Sequence, residues 1–255
     1  MSSTTPTPPP SSLTERRKTE TRMEIARAAA GLFVQHGLRA TRAEDIAQAA
    51  GIAPRTFYRY FATKEEAVAP LYAAGAQRWV EAVRAAPPDA GVLHALEQGV
   101  RHTLTPGVGV SASSWEWVRA LLRLAEATPS LRRVWAEVCQ TSERLLGEVL
   151  AERVTRAGVP GAAGVPEVSA EGLDNVAVAP DPAPAPTPPA APTETPHPPP
   201  VTTPELRFAA AVASAAVRAA LEAWAAGDGP VEGPDGPAEL ALRNLTALRD
   251  FPWGP

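Results

Sequence analysis

The stretch GIAPRTFYRYF, residues 51–61, carries four aromatic rings and two arginines in its last seven positions, within a chain that is only 5% aromatic. Phe57 and Phe61 are four residues apart, so they share one face of a helix. We expect that face to be buried. Arg55 and Arg59 then lie on other faces, where their planar guanidinium groups are free to meet an anionic partner such as DNA.

Two further helices are predicted immediately upstream. Apolar residues recur on one face over Leu13–His36, which indicates an amphipathic helix. Thr41 suits the N-cap of a short second helix, and Glu44, three residues later, completes a capping box. A tight turn containing Gly51 joins this helix to the next. Residues 42–61 are therefore typical of a helix-turn-helix, although a plain helical hairpin with solvated arginines has the same spacing.

The rest of the chain is also predicted to be helical. Helices are expected over residues 64–86, 89–104, 113–127, 130–157, 205–226 and 238–250. Thr63 caps the first of these, and Pro70 lies inside it and predicts a kink. Because strand-like alternation is missing from the sequence, we expect an all-α fold, with a three-helix helix-turn-helix domain followed by a second, helical domain.

Two segments have the composition of disordered chain. Residues 1–12 are rich in Ser, Thr and Pro, and residues 158–204 contain fourteen of the 29 prolines. Proline removes backbone donors, and these segments have few bulky apolar groups with which to pack a core. We expect the second segment to be an extended linker, with a proline-reading partner as the alternative.

Charge is distributed unevenly along the chain. Residues 13–72 contain ten Lys/Arg and seven Asp/Glu, a net +3, whereas the whole chain is −4 and residues 1–12 carry no charge. The remaining residues therefore carry −7. A basic region beside an acidic body is the pattern expected when one end of a protein meets a polyanion, although chance clustering gives the same count.

The single cysteine, Cys139, cannot form an intramolecular disulfide, which suits a reducing cytoplasm. The N-terminal residues have no apolar core like that of a signal peptide, and the apolar runs are shorter than the roughly 20 residues of a membrane helix. We expect a cytoplasmic protein that does not enter a membrane. The sequence has no metal-ligand cluster, catalytic triad order or glycine-rich phosphate loop, so we expect no metal, no cofactor and no enzymatic activity.

Residues 23–72 resemble the DNA-binding domain of the tetracycline-repressor (TetR) family. The matching pieces are IARAAAGLFVQHG, TRAEDIAQAAGIAPRTFYRYF and TKEEAV. The resemblance implies that the second and third helices read DNA, while the remaining helices bind an effector and a second subunit. The DNA-contact residues expected from the outward face and from this resemblance are Thr41, Arg42, Pro54, Arg55, Thr56, Tyr58, Arg59, Tyr60 and Lys64. Tyr60 stands where the family often has histidine, and Arg55 where it often has a smaller residue.

The middle helices, within residues 73–157, are expected to bind the effector. They contain Trp115, Trp117 and Trp135, which suit either a plain core or an aromatic pocket for a mostly apolar molecule. Arg119 or Arg123 is expected to pair with an acidic group on that molecule. The pattern from Trp115 to Trp135 also resembles, more loosely, a branch with an acyl-CoA-like ligand-binding domain, which implies an acyl-CoA-like effector.

The last two helices, within residues 205–250, are the expected dimer interface. Leu206, Ala210, Ala213, Val217, Ala220, Leu221 and Trp224 repeat at three- and four-residue steps. The same stripe also fits an ordinary core helix. The resemblance implies a four-helix bundle across the dimer axis. We therefore expect a ligand-released repressor that binds a palindromic operator as a homodimer. The alternative is a helical ligand-binding or interaction protein without DNA binding.

Overall fold

The computed structural model describes residues 13–107, 112–157 and 202–253, and within these ranges the chain is helical and has no β-strand. The helices are α1 Leu13–His36, α2 Ala43–Ala49, α3 Pro54–Tyr60, α4 Ala69–Ala85, α5 Val92–Leu104, α6 Ala112–Ala127, α7 Pro129–Ala157, α8 Pro204–Ala226 and α9 Pro237–Ala247, with a 3₁₀ turn over Glu65–Val68. The prediction of an all-α fold is confirmed. Residues 1–12 and 158–201 of the expected tail and linker lie outside the described residues.

Two phenylalanines hold α3 against the other N-terminal helices, as the spacing predicts. The rings of Phe57 and Phe61 are both buried, and their centroids are 5.8 Å apart. Each such side chain contributes about 1.5–3 kcal/mol when it is fully buried. The surrounding core is formed by residues of α1, α2, the 3₁₀ turn, α6 and α7, among them Phe33, Ile46, Val68, Leu121 and Leu131.

The turn between α2 and α3 has the hydrogen bonds of a Schellman motif. Gly51 adopts a φ of 67°, a left-handed conformation that favours glycine. Its N–H donates to Gln48 at 3.0 Å, and the N–H of Ile52 donates to Ala47 at 2.9 Å. The turn therefore ends α2 and sets the direction of α3.

The start of α2 differs from the predicted capping box. The N-cap is Arg42, and its backbone N–H donates to Asp45 Oδ2 at 2.8 Å, so Asp45 supplies the carboxylate expected from Glu44. Thr41 is 2% exposed and donates its hydroxyl to carbonyl oxygens of Gly37 and Leu32 instead. Thr41 thus ties α2 to the end of α1, because its hydroxyl is turned inward.

The predicted long helix from Lys64 is divided into two elements. The N-cap of the 3₁₀ turn is Lys64 rather than the predicted Thr63, whose Oγ1 nevertheless accepts from the N–H of Glu66 at 3.3 Å. The α-helix begins only at Ala69, which places Pro70 in its first turn rather than at an internal kink. Proline is tolerated there because that backbone N–H has no helical partner to lose.

The C-terminal body packs α4 against α5 and α7, and α8 against α7 and α9. Gly99 on α5 permits a close approach to α4. A Cβ added at Gly99 would lie 2.7 Å from Val83 Cγ2 and 3.1 Å from Trp79 Cδ1. Arg153 of α7 is also buried, and it donates to the carbonyl oxygens of Val83, Ala86, Pro87 and Ala90 at the end of α4.

The apolar stripe of α8 lies inside the chain, which corrects the expected dimer face. Most of its members, Leu206, Ala210, Ala213, Val217, Ala220 and Trp224, are buried in the core formed with α4, α5, α7 and α9. By length and composition alone α8 could cross a membrane, and 44% of its most apolar window is buried. Helices in the cores of soluble proteins share both properties, so this is weak evidence for a span.

Candidate nucleic-acid interface and ligand cavity

The side chains of α3 that face away from the core form one polar surface. Arg55 and Arg59 are exposed, and Tyr58 is 53% exposed. Thr56 and Tyr60 are half-buried beside them, and the exposed Pro54 begins the helix. Arginine forks and tyrosine or threonine hydroxyls are the groups that donate to base edges and phosphates in the major groove.

α1 supports the end of α3 through Arg22. Its guanidinium donates to the carbonyl oxygen of Tyr60 at 3.2 Å and lies 4.7 Å from the ring centroid of Phe61. A cation at a helix C-terminus is favoured by the helix dipole and by the terminal carbonyl groups. Arg22 therefore orients the polar face of α3 from behind, a role that the sequence alone did not indicate.

Among the expected contacts at the start of α2, only Arg42 presents its side chain to solvent. The Arg42 guanidinium is exposed and lies 3.5 Å from the carboxylate of Glu44, a surface pair that contributes little to stability. Arg42 can therefore exchange this partner for a phosphate. The Thr41 hydroxyl cannot do so, because it is buried and donates within the fold.

The side chain of Lys64 makes hydrogen bonds within the N-terminal unit, although it was expected to face DNA. Its Nζ donates to the carbonyl oxygens of Leu38 and Thr41, both at 2.7 Å. These two bonds bridge the 3₁₀ turn to the loop between α1 and α2. An ammonium group has three protons, so two of them serve this bridge.

A cavity of about 750 Å³ lies where α1, α4, α5, α6, α7 and α8 meet. Its wall includes all three predicted tryptophans, Trp115, Trp117 and Trp135. Trp115 is fully buried and meets Trp224 edge-on, whereas Trp117 is 42% exposed. The volume lies within the range of pockets that hold small molecules.

The two arginines expected in the pocket instead hold the connection from α8 to α9. Arg119 donates to the carbonyl oxygen of Gly229, and its guanidinium lies 4.1 Å from the ring centroid of Trp224. Arg123 donates to Ala225 at 2.6 Å and pairs with Asp228 at 2.7 Å. Neither lines the cavity, because both point to the other side of α6.

Other residues of the wall carry no sequence signal of their own. They include Arg27, Tyr72, Arg78, Trp79, Thr103, Cys139, Ser214 and Arg218. They lie on five different helices, so the tertiary arrangement alone brings them together. Met23, Arg27 and Ala30 are four and three residues apart, so they lie on one face of α1, and that face forms part of the wall. Their spacing alone does not predict that the face borders a cavity.

Tyr72 belongs both to the wall of the cavity and to the core that holds α3. Its hydroxyl donates to the carbonyl oxygen of Leu121 at 2.9 Å, and its ring meets Trp135 edge-on at 5.1 Å. Burial raises the pKa of Tyr72 above its ordinary value. Burial likewise raises the pKa of Cys139 to about 12, so this thiol is protonated at physiological pH.

The fold and these two sites define a class of protein: a helix-turn-helix module joined to a helical body that encloses a cavity. The described residues contain no group of three or more His, Cys, Asp or Glu side chains that could hold a metal ion. The polar face of α3 and the tryptophan-lined cavity are thus the two candidate sites.

Comparison with known proteins identifies the family. Residues 25–69 match the model of bacterial regulatory proteins of the tetR family. The HTH-type transcriptional regulator TcmR of Streptomyces glaucescens is 33% identical over 162 residues, which are 62% of this chain and 69% of that protein. The chain therefore belongs to the TetR family of DNA-binding transcriptional regulators.

Two further similarities cover different shares of the chain. The HTH-type transcriptional repressor KstR2 of Rhodococcus jostii (strain RHA1) is 47% identical over 62 residues, 24% of this chain and 30% of that protein. The solved structure of Salmonella enterica GusR is 18% identical, with a TM-score of 0.49 over 91% of this chain and 96% of that one.

Proposed function

We propose that the protein is a cytoplasmic, non-enzymatic repressor that binds a palindromic operator as a homodimer and is released by a small, mostly apolar effector. The observation that carries the DNA-binding role is the division of α3 into a buried phenylalanine face and an exposed face. Arg55, Tyr58 and Arg59 extend from the exposed face. Pro54, Thr56 and Tyr60 border them, and Arg42 flanks them at the start of α2.

The roles of Thr41 and Lys64 are revised within this proposal. The buried hydroxyl of Thr41 stabilises the start of α2 from inside the unit. Two protons of the Lys64 ammonium hold the loop between α1 and α2. Both residues therefore act on DNA binding by placing Arg42 and α3, and a phosphate contact from Lys64 would use its remaining proton.

Two observations support a homodimer: the spacing of half-sites on DNA and the exposed outer face of α8. A single helix-turn-helix contacts few base pairs, and two copies one DNA turn (about 34 Å) apart read a palindrome. Phe208 on α8 is 61% exposed, and Ala215 and Ala219 continue its outer face with small side chains. We place the dimer contact on this outer face, since the opposite stripe is buried within the chain.

The cavity supports the effector role, and α4 connects it to the reading helix. Tyr72 and Trp79 of α4 line the cavity, and the preceding Val68 packs in the core that holds α3. An effector shifts an equilibrium only if it binds the two states unequally. An occupant that favours one tilt of α4 would change the spacing of the two reading helices, and an acyl-CoA-like molecule is one candidate occupant.

Selection of bound sequences from a randomised DNA library, followed by gel-shift titration, tests the DNA-binding role. Arg55→Ala is expected to lower the preference for the selected site over random DNA about tenfold, because a guanidinium–base contact contributes about 1–3 kcal/mol to discrimination. Arg243→Ala, which removes an exposed arginine on α9, is the matched control. No selected sequence, or equal preference for Arg55→Ala and the parent, would contradict the proposal.

A further inference from the structure

We propose that the effector is a planar aromatic acid, with its rings packed among the tryptophans of the cavity and its anionic group at the arginines of the rim. This inference rests on the proposed effector role and names the chemistry of the molecule. Three properties of the wall carry it: the type of apolar side chain, the sign of the charges and the buried polar atoms.

The first property is the aromatic content of the wall. Four of the six tryptophans in the chain line this cavity, namely Trp79, Trp115, Trp117 and Trp135, and Tyr72 lies among them. Aromatic rings attract other rings in offset or edge-on contacts beyond the gain from burial alone. Flat rings exploit such a wall, whereas a flexible alkyl chain gains only burial and loses more conformational freedom.

The second property is the sign of the charge. Arg27, Arg78 and Arg218 belong to the described wall, and no Asp or Glu side chain does. All three arginines are exposed, so they stand at the solvent side of the cavity while the buried part is apolar. Glu222 lies just behind the wall, where it pairs with Arg218 at 3.7 Å and accepts from Trp135 Nε1 at 2.8 Å.

The charged side chains of the wall itself are therefore all arginines, and the carboxylate of Glu222 lies behind them. An anionic group on the occupant would meet guanidinium groups at the rim, whereas a cation would meet like charge there. Carboxylates suit this role because guanidinium binds them through paired hydrogen bonds.

The third property is a set of buried polar atoms on residues of the wall. Trp115 Nε1, Thr103 Oγ1 and Ser214 Oγ have no hydrogen-bond partner among the described residues. An unpaired buried donor is unfavourable, so an occupant that brings oxygen atoms near these groups gains affinity. Ring carbonyl oxygens therefore fit the wall better than a pure hydrocarbon does.

Isothermal titration calorimetry on the full chain tests the inference with four probes. These are anthraquinone carboxylate, the uncharged hydroxymethyl anthraquinone, the alkyl acid palmitate and the cationic tricycle proflavine. We expect the anthraquinone carboxylate to bind at least about tenfold more tightly than each of the others. The alcohol and proflavine lack the charge-assisted contact with arginine, and palmitate lacks the ring contacts. Tighter binding of the alcohol, of palmitate or of proflavine, or no binding by any of the four, overturns the aromatic-acid assignment.

A variant with Arg27→Gln, Arg78→Gln and Arg218→Gln separates charge from folding. It should lose about tenfold or more in affinity for the carboxylate and retain the parent's affinity for the alcohol, which reports an intact cavity. Arg243→Gln, remote from the wall, should change neither. An equal loss of affinity for the carboxylate and for the alcohol would overturn the role of the rim arginines in binding the anionic group. Gel shifts without any probe decide the DNA-binding proposal independently, so failure of one proposal is distinguishable from failure of the other.

Discussion

At the scale of single residues, Lys64 links two parts of the DNA-binding unit, the 3₁₀ turn and the loop between α1 and α2. Its Nζ donates to the carbonyl oxygens of Leu38 and Thr41 from the start of the 3₁₀ turn. Carbonyl groups that lose a charged donor in a half-buried position must find water or remain unpaired. The loop that precedes α2, and with it the position of Arg42, therefore depends on this ammonium group.

Lys64→Met should lower the free energy of unfolding by about 1–3 kcal/mol, because it removes two charged hydrogen bonds while keeping a similar aliphatic stem. Chemical denaturation followed by circular dichroism measures the change, with Lys18→Met on the exposed surface of α1 as control. The variant should also bind all DNA sequences more weakly. Equal stability of Lys64→Met and Lys18→Met would show that the two carbonyl groups do not need the lysine.

Residue roles that depend on local spacing were predictable, and roles that depend on tertiary neighbours were not. The burial of Phe57 and Phe61 follows from their four-residue separation, and this prediction is confirmed. Arg119 and Arg123 occupy one side of α6, and the periodicity of α6 does not tell which neighbour that side meets. Their partners are more than 100 positions away in the chain, at the end of α8.

At the scale of elements, the crossing of α4 and α5 depends on Gly99. This glycine faces Val83 and Trp79 of α4 so closely that a methyl group would overlap Val83. Gly75, in the middle of α4, offers a matched comparison, since a Cβ added there meets nothing within 4 Å. The two positions separate the effect of packing from the intrinsic preference of a helix for alanine.

Gly99→Ala should destabilise the protein by about 1–3 kcal/mol through overpacking. Gly75→Ala should instead stabilise it by about 0.5–1 kcal/mol, because alanine loses less backbone entropy than glycine within a helix. Thermal and urea unfolding of both variants beside the parent measure the difference. Stabilisation by Gly99→Ala as large as that by Gly75→Ala would mean that α4 and α5 move apart without cost.

The positions of the helices were predictable because caps and breakers are local signals. Pro204 and Pro237 begin α8 and α9, and Gly51 ends α2, each within a residue or two of the expected boundary. The function of the α8 stripe was not predictable. An apolar face with a three- and four-residue repeat packs equally well against its own chain or against a second copy, and sequence periodicity is the same in both cases.

At the scale of the whole molecule, the proposed dimer contact on the outer face of α8 would determine whether two reading helices act together. Phe208 is exposed there and contacts Phe251, with ring centroids 5.5 Å apart. Phe208 lies on the face of α8 opposite the stripe that is buried in the chain's own core. The proposed dimer would bury it and place the two copies of α3 at a fixed separation.

Phe208→Arg should convert the dimer into monomers, because the substitution places a charge within the proposed contact. Sedimentation velocity measures the change, and affinity for a palindromic site should fall while the helical content stays constant. Val34→Arg, which alters another exposed apolar residue on α1, is the control for added charge. A dimeric Phe208→Arg protein would place the contact elsewhere.

Because Cys139 is the only thiol in the chain and lies in the wall of the cavity, covalent labelling can report occupancy without any engineered probe. Its raised pKa keeps the nucleophilic thiolate scarce at neutral pH, so alkylation by iodoacetamide should be slow and should accelerate as pH rises toward 12. A saturating occupant should slow alkylation further. Mass spectrometry would measure this protection as a smaller fraction of protein alkylated at a given time. Labelling at the rate of a free cysteine, with or without an occupant, would place the thiol outside the enclosed space.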